Sequence, residues 1–491
     1  MTNVKSVSTS HKSRPTSLYE GANLSAAHLE EVPSWGGASS GISYVYRPST
    51  IESLYELLML ARRSGRTVGL RGGGNSYGDA AMNSENIVVD ICRMNRILEW
   101  DPRTGVIRVE PGVTLAQLWQ YVLEDGWWPP IATGTSFTTM GGSAAMNVHG
   151  KNAFKMGPIG DHILEFDLML ASGETITCNR EENRDVFFAA IGGFGMLGIF
   201  TSLTIQMKHI YSGLLDVESE ARGDLAGMFA YFDEYAADSD YIVGWIDSLA
   251  GGRHTGRGDV HRANYLAEGV DPNPAQTLRL ENQHLGPNLF GVVPRSIMWL
   301  FMRPMMRNWG LRFVNQGKYL AGSFTGVKRY RQPHVQFHFL LDYIPDWKKA
   351  YEPGGLIQYQ PFIPKENAYD AFSEILTLCQ RRGLPNYLTV LKRHRPDDFL
   401  MTYAVDGFSM AMDFRVTNEN RQRIVWMTRE LDEIVLHAGG RFYFAKDSVL
   451  RPEVAEAYLG ADTIARFRTL KHRCDPDGLL ETDLWRRVFG D

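Results

Sequence analysis

Cysteine is scarce in this chain. Cys92, Cys178, Cys379 and Cys474 are the only four in 491 residues, far apart and with no C-x-x-C pair. That excludes a disulfide framework and a zinc knuckle, and a reducing, cytoplasmic setting is the simplest expectation. A dominant charge is also missing. The 51 lysines and arginines face 56 acidic residues, a formal net charge of -5, and no long basic tract supplies a nucleic-acid signature. No uninterrupted apolar run is long enough to span a bilayer. The nearest, Phe290 to Val314, is broken by Arg295, Arg303, Arg307 and Arg312. The first sixteen residues, MTNVKSVSTSHKSRPT, have no apolar core segment and read as a flexible tail rather than a secretory signal. His334 and His338 stand four apart without an H-E-x-x-H context, so no metal site is expected. There is no internal repeat.

Glycine, by contrast, is abundant and clustered. "RGGGNSYGD" spans Arg71 to Asp79; Gly134, Gly141-Gly142, "HGKN" from His149 to Asn152, and Gly192-Gly193-Phe194-Gly195 follow in the same half of the chain. The first loop runs from the strand "TVGL" to the strand "NIVVDI", not from strand to helix, and carries no Gly-Lys-Ser/Thr. The Rossmann and P-loop readings therefore fail on context. Successive backbone N–H groups can still form an anion-binding nest, and absent side chains leave space for a pyrophosphate. The alternative is a tight turn packed on its own domain. Several separate backbone clamps in one half of the chain favour a long ligand with a central diphosphate, a dinucleotide.

The pattern around the loops alternates. A helix is expected over Ser49 to Gly65, strands at Thr67–Leu70, Asn86–Ile91 and Gly105–Gly112, a helix over Thr114–Gly126, and a hairpin around Ala171-Ser172-Gly173. After about Tyr211 the glycine loops cease. "LIQYQPFIP", "YLTVLKRH" and "FSMAMDFRV" read as strands of one sheet, with helices around Ala368–Arg382 and Glu419–Ala438. This is an α+β second domain. Near Gly439 the glycines return, in "GGRFYFAKDS".

"RGGGNSYGD", "TGTSFTTMGG", "NVHGKN" and "GGFGMLGI", in that order, resemble the flavoprotein superfamily of vanillyl-alcohol oxidase type. "LIQYQPFIP", "VLKRHRP" and "FYFAKDS" extend the likeness into the C-terminal half, most closely to the oxidase subunits of decaprenylphosphoryl-ribose 2'-epimerases. The resemblance covers nearly the whole chain from about Trp35. It implies an α+β fold: a two-lobed PCMH-type FAD-binding domain and an antiparallel-sheet substrate (cap) domain. The expected division is a flexible tail at 1–34, the FAD-binding domain at 35–211, the substrate domain at 212–440 and a C-terminal return at 441–491. It implies FAD as cofactor, with Arg71, Gly72, Gly73, Gly74, Asn75, Ser76, Tyr77, Gly78, Gly134, Thr139, Gly141, Gly142, His149, Gly150, Lys151, Asn152, Ile199 and Tyr443 around it.

Many members of the superfamily carry, at the position of Asn75, a histidine bonded covalently to the flavin. An amide nitrogen is not a useful nucleophile, so the resemblance implies FAD held noncovalently. A flavin enzyme oxidising an alcohol needs a proton acceptor for the hydroxyl and positive charge beside the reduced ring. Lys446 matches a lysine that lies beside flavin and substrate in the resembled family; its alternative is a surface lysine paired with Asp447. Lys392 alternates with Leu391 on its strand and is expected to face the cavity while Arg393 faces away. Gln358 and Gln360 share a strand face by the same rule, and two amides suit sugar hydroxyls. The catalytic candidates are Lys446, Lys392 and Gln360. Gln358, His149, Tyr77, His338, Ser409 and Trp245 complete the substrate set. Ser409 and Ala411 replace an asparagine and a cysteine of the resembled family, which removes a pocket thiol and leaves the substrate open.

The expected reaction is oxidation of a secondary sugar hydroxyl, favoured at the 2'-position of a polyprenyl-phosphate pentose, with a short-chain NAD(P)H-dependent reductase as partner. A free polyol or aldonolactone oxidase, an alkene reductase of sterol Δ24-reductase type and a carrier without turnover stand beside it. Phe290–Val314 reads either as a buried helix or as an amphipathic lid that meets a membrane or a lipid tail.

Overall fold

The computed structural model describes residues 24–289 and 293–490. The basic sixteen-residue leader and Phe290, Gly291 and Val292 lie outside the described residues. The segment expected to be a tail up to residue 34 is regular from Leu29: Leu29–Pro33 is a strand, antiparallel to Ser40–Tyr46.

The first lobe is a four-stranded sheet in the order Leu29–Pro33, Ser40–Tyr46, Ile87–Asp90, Val68–Arg71, its last two pairings parallel. The helix between its strands, Ile51–Ser64, starts where sequence logic puts it. Thr50 and Ser53 form a reciprocal cap, and Gly65 ends the helix with φ 63°. Leu54, Leu57, Leu58 and Ala61 recur at helical spacing and bury against Val68, Ile87 and Val89. The second lobe is a five-stranded antiparallel sheet, Ile97–Asp101, Val106–Val109, Ile199–Gln206, Ile163–Met169 and Thr175–Asn179. The glycine loops emerge between and beside these two lobes.

The largest sheet, nine-stranded, is antiparallel throughout and runs from Lys328–Pro333 through Leu214–Arg222, Gly258–Tyr265, Tyr241–Ile246, Leu388–His394 and Gly407–Arg415 to Pro361–Pro364 and Arg441–Phe442, with Leu356–Tyr359 also on Gly407–Arg415. Helices Lys365–Arg381 and Arg421–His437 cover it, burying Phe372, Ile375, Leu376, Met427 and Leu431.

The chain then returns to the first lobe. Val68 N–H donates to Leu479 O at 2.7 Å, and Glu481 N–H to Val68 O at 2.9 Å. Arg487 binds both Asp79 oxygens, at 2.7 and 2.8 Å, and Asp447 at 2.7 Å. One guanidinium thus ties the first glycine loop to the segment that carries Lys446. Such a bidentate, partly buried pairing is the kind that holds geometry.

Candidate active site

Between the two lobes and the large sheet lies a cavity of about 510 Å³. Its floor is glycine. Gly72 sits so close to the second loop that a Cβ there would come within 2.1 Å of Thr139 Oγ1; at Gly73 a Cβ would meet Phe137 O at 2.4 Å. The triple glycine therefore serves first to let two loops touch. Asn75 stitches them: its Nδ2 donates to Phe137 O at 3.0 Å. Among the described residues, the N–H groups of Gly73, Gly74, Asn75 and Ser76 have no protein acceptor. Four successive open donors beside a cavity are what an anionic diphosphate requires.

The second loop behaves differently. Its donors are largely used: Gly141 N–H on Pro111 O at 2.8 Å, Gly142 N–H on Thr139 Oγ1 at 3.3 Å, and Ser136 N–H on Asp342 at 2.8 Å. Asp342 also accepts from Thr135 Oγ1 and Ser136 Oγ, at 2.6 and 2.7 Å. A carboxylate from the substrate side so shapes the loop, and nothing in the sequence around Asp342 signals it.

The cavity wall holds Gly72, Gly73, Gly74, Asn75, Ser76, Tyr77, Gly134, Thr139, Gly141, Gly142, His149, Lys151, Ile199 and Tyr443, together with Trp245, His338, Gln358, Gln360, Lys392 and Lys446. Five expected residues stand off it. Arg71 lies behind Gly74 and donates to Ala81 O at 3.2 Å. Gly78 is forced by contact with Asp447 O, 1.8 Å from where a Cβ would sit. Gly150 packs on Ala132, and Asn152 donates to Pro130 O at 2.8 Å. Ser409 is fully buried behind Gln360, while Ala411, two residues on, reaches the wall. Ser409, which the resemblance put with the substrate, is held off the wall by Gln360, whose Nε2 lies 3.3 Å from its Oγ.

Ser409 instead joins a polar relay. Its Oγ lies 2.8 Å from His394 Nε2 and 3.3 Å from Gln360 Nε2, which in turn lies 3.1 Å from His149 Nε2. With the Gln360 amide donating, His149 carries its proton on Nδ1, which has no protein partner. Burial, aided by repulsion from Lys392, holds His149 well below the usual imidazole range, so it is neutral. His394 was absent from the expected set; its place in "KRHRP" beside Lys392 was the available signal.

Three lysines surround this relay. Burial lowers Lys392 to about 8 and, with repulsion from Lys392, Lys151 to about 7. Lys151 donates to Phe337 O. Lys446 is also pulled below the ordinary lysine range by burial, against the attraction of Asp413 and with repulsion from Lys392. Asp413, itself raised by burial, accepts from Gln358. Lys446 is not paired with Asp447, which accepts from Val449 and Leu450 N–H and from Arg487. Arg393 turns away to Gly407 O at 2.9 Å. At the far end, Lys318 sits 3.5 Å above the Trp245 ring, another contact the sequence did not announce.

The open donors of the first loop, the adjoining apolar residues Leu70, Ile91, Phe194 and Ile199, and the unpartnered His149 Nδ1 fit a dinucleotide with a flat apolar ring. Residues 42–179 match the family model of an FAD binding domain. The chain is 30% identical over 463 residues to decaprenylphosphoryl-beta-D-ribose oxidase of Mycolicibacterium smegmatis, covering 92% of this chain and 96% of that one. It is 24% identical to L-gulonolactone oxidase of Bos taurus, over 90% and 94%, and 22% to L-gulono-1,4-lactone dehydrogenase of Mycobacterium tuberculosis, over 91% and 96%. Fold and site define an FAD-dependent oxidoreductase with a PCMH-type FAD-binding domain. The chain belongs to the family of decaprenylphosphoryl-beta-D-ribose oxidase.

Proposed function

We propose that this enzyme oxidises a secondary hydroxyl of a sugar, favoured at the 2'-position of a polyprenyl-phosphate pentose, to the ketone. One observation carries the reading: Gln358, Gln360, Lys392 and Lys446 line the same cavity as the open donors of the first glycine loop. Two buried amides bind neighbouring sugar hydroxyls, and Lys392 offers an ammonium to a further oxygen. When bound, FAD supplies the two-electron acceptor that takes the hydride from the carbinol carbon. Lys446, its pKa lowered by burial, accepts the hydroxyl proton in its neutral form. His149, neutral, donates from Nδ1. The FAD is held without a covalent bond, because Asn75 offers no nucleophile. A short-chain NAD(P)H-dependent reductase would complete the epimerisation by reducing the ketone.

A free aldonolactone oxidase is the second reading, favoured by the likeness to the L-gulonolactone oxidase. Anaerobic mixing separates the two. Bleaching of the flavin by a polyprenyl-phosphate pentose and not by free lactones supports the first; bleaching by lactones alone replaces it with the second. Bleaching by NADPH alone removes both.

A further inference from the structure

The stretch read either as a buried helix or as an amphipathic lid forms, over its described residues, two largely exposed helices. Met298–Met305 and Asn308–Thr325 are separated by Met306 and Arg307, with Pro304 inside the first. Only Gly310, Leu311 and Asn315 of the longer helix are buried, and none of the shorter. Phe301 and Trp309 are 60% exposed, Phe313 77% and Phe324 86%. Scattered exposed apolar residues are ordinary in a folded protein, but Trp309, Phe313, Leu320 and Phe324 recur at helical spacing on one face of the longer helix, and an exposed apolar face of this kind marks an interface.

Charge decides what the interface meets. No aspartate or glutamate occurs between Glu281 and Asp342; within that span Lys318, Arg329 and Arg331 pair with Asp259, Glu218 and Asp216 from other strands. Arg303, Arg307 and Arg312 are exposed and have no acidic partner among the described residues. A second copy of this face would oppose like charge to like charge. An anionic lipid surface answers both features, since phosphates meet the arginines and the acyl boundary receives the rings. No helix among the described residues is long and apolar enough to cross a membrane, so the contact is with one leaflet.

We propose that Met298–Met305 and Asn308–Thr325 dock on the surface of an anionic bilayer, with Phe301, Trp309, Phe313 and Phe324 inserted and the three arginines against lipid phosphates. The longer helix also lines the cavity through Lys318, so docking holds the cavity beside the leaflet. The docking does not depend on which sugar is oxidised.

The test is flotation of the full-length, flavin-loaded protein with vesicles of phosphatidylcholine alone and of phosphatidylcholine mixed with phosphatidylglycerol. The protein should float with the mixed vesicles, and salt that shortens the Debye length to about 3 Å should release it in part. Arg303→Gln, Arg307→Gln and Arg312→Gln together should weaken partitioning on the order of a hundredfold, at about a factor of five per charge. Phe313→Asp with Phe324→Asp should abolish flotation. Both variants should keep flavin absorbance and turnover of a water-soluble substrate, since these side chains stand outside the cavity. Three outcomes would overturn the proposal: a wild-type protein that floats with neither vesicle, one that floats equally with both, or a soluble dimer made monomeric by the phenylalanine variant.

Discussion

Lys446 Nζ stands 3.9 Å from the centre of the Tyr77 ring, and the backbone N–H of Tyr77 donates to Ala445 O at 2.9 Å. The two ends of the FAD-binding region thus meet at one point. The first glycine loop supplies an aromatic face, and the returning C-terminal segment supplies the lysine. When Lys446 is protonated, such a cation–π contact in a desolvated site contributes about 2 kcal/mol, and in either form the packing on Tyr77 fixes where its nitrogen stands.

Lys446→Ala should leave FAD bound and slow its reduction by substrate by about 10² or more, the range of a lost general base. Anaerobic stopped-flow reduction reads this directly. An unchanged rate removes Lys446 from the chemistry.

Asp413→Asn tests what tunes that lysine. The carboxylate raises the pKa of Lys446 against burial, so its loss lowers it. Neutral Lys446 is then present at lower pH, and the acid limb of kcat/KM should move to lower pH. A limb that stays in place, with folding intact, places the base elsewhere.

Lys392 carries a stability signature. Its folded pKa of about 8 lies below the usual lysine value, so between these two values the unfolded chain binds more protons. Stability on this account rises with pH across that window and is pH-independent below it. Lys392→Met in flavin-free protein should be stabilising below pH about 8, by about 3 kcal/mol at most, with the gain vanishing as pH rises through the usual lysine pKa. Denaturant melts at two pH values decide it.

Gly72→Ala should remove FAD binding, because the added methyl meets Thr139 Oγ1. Thr139→Ala deletes that oxygen and leaves the Cβ 3.3 Å away, so the double variant should regain flavin. Absorbance of the purified proteins reads both. Double variants that remain colourless would mean that contact with Thr139 Oγ1 is not what excludes a side chain at Gly72.

Acid precipitation should release the yellow cofactor into the supernatant, since Asn75 forms a hydrogen bond to Phe137 O rather than a bond to flavin. Colour retained in the pellet contradicts this.

Much of this was legible from local pattern. Thr50, Ser53 and Gly65 announced their helix, and the period-two rule put Gln358, Gln360 and Lys392 on one wall and Arg393 off it, because caps and strand alternation depend on a few adjacent residues. Ser409, placed with the substrate by resemblance alone, does not reach the cavity, because Gln360 from a neighbouring segment stands against it.

The sequence by itself determined which loops lack side chains, which nucleophile is missing at Asn75, and where acidic residues are absent between Glu281 and Asp342. Only the tertiary structure decided that Asp342 shapes the second loop, that Arg487 joins Asp79 to Asp447, that four lysines share one cavity, and that the arginine-marked stretch lies uncovered. The physical reason is the range of the interactions. Turn chemistry and capping act over a few residues, whereas desolvation and ion pairing depend on what the rest of the chain brings alongside.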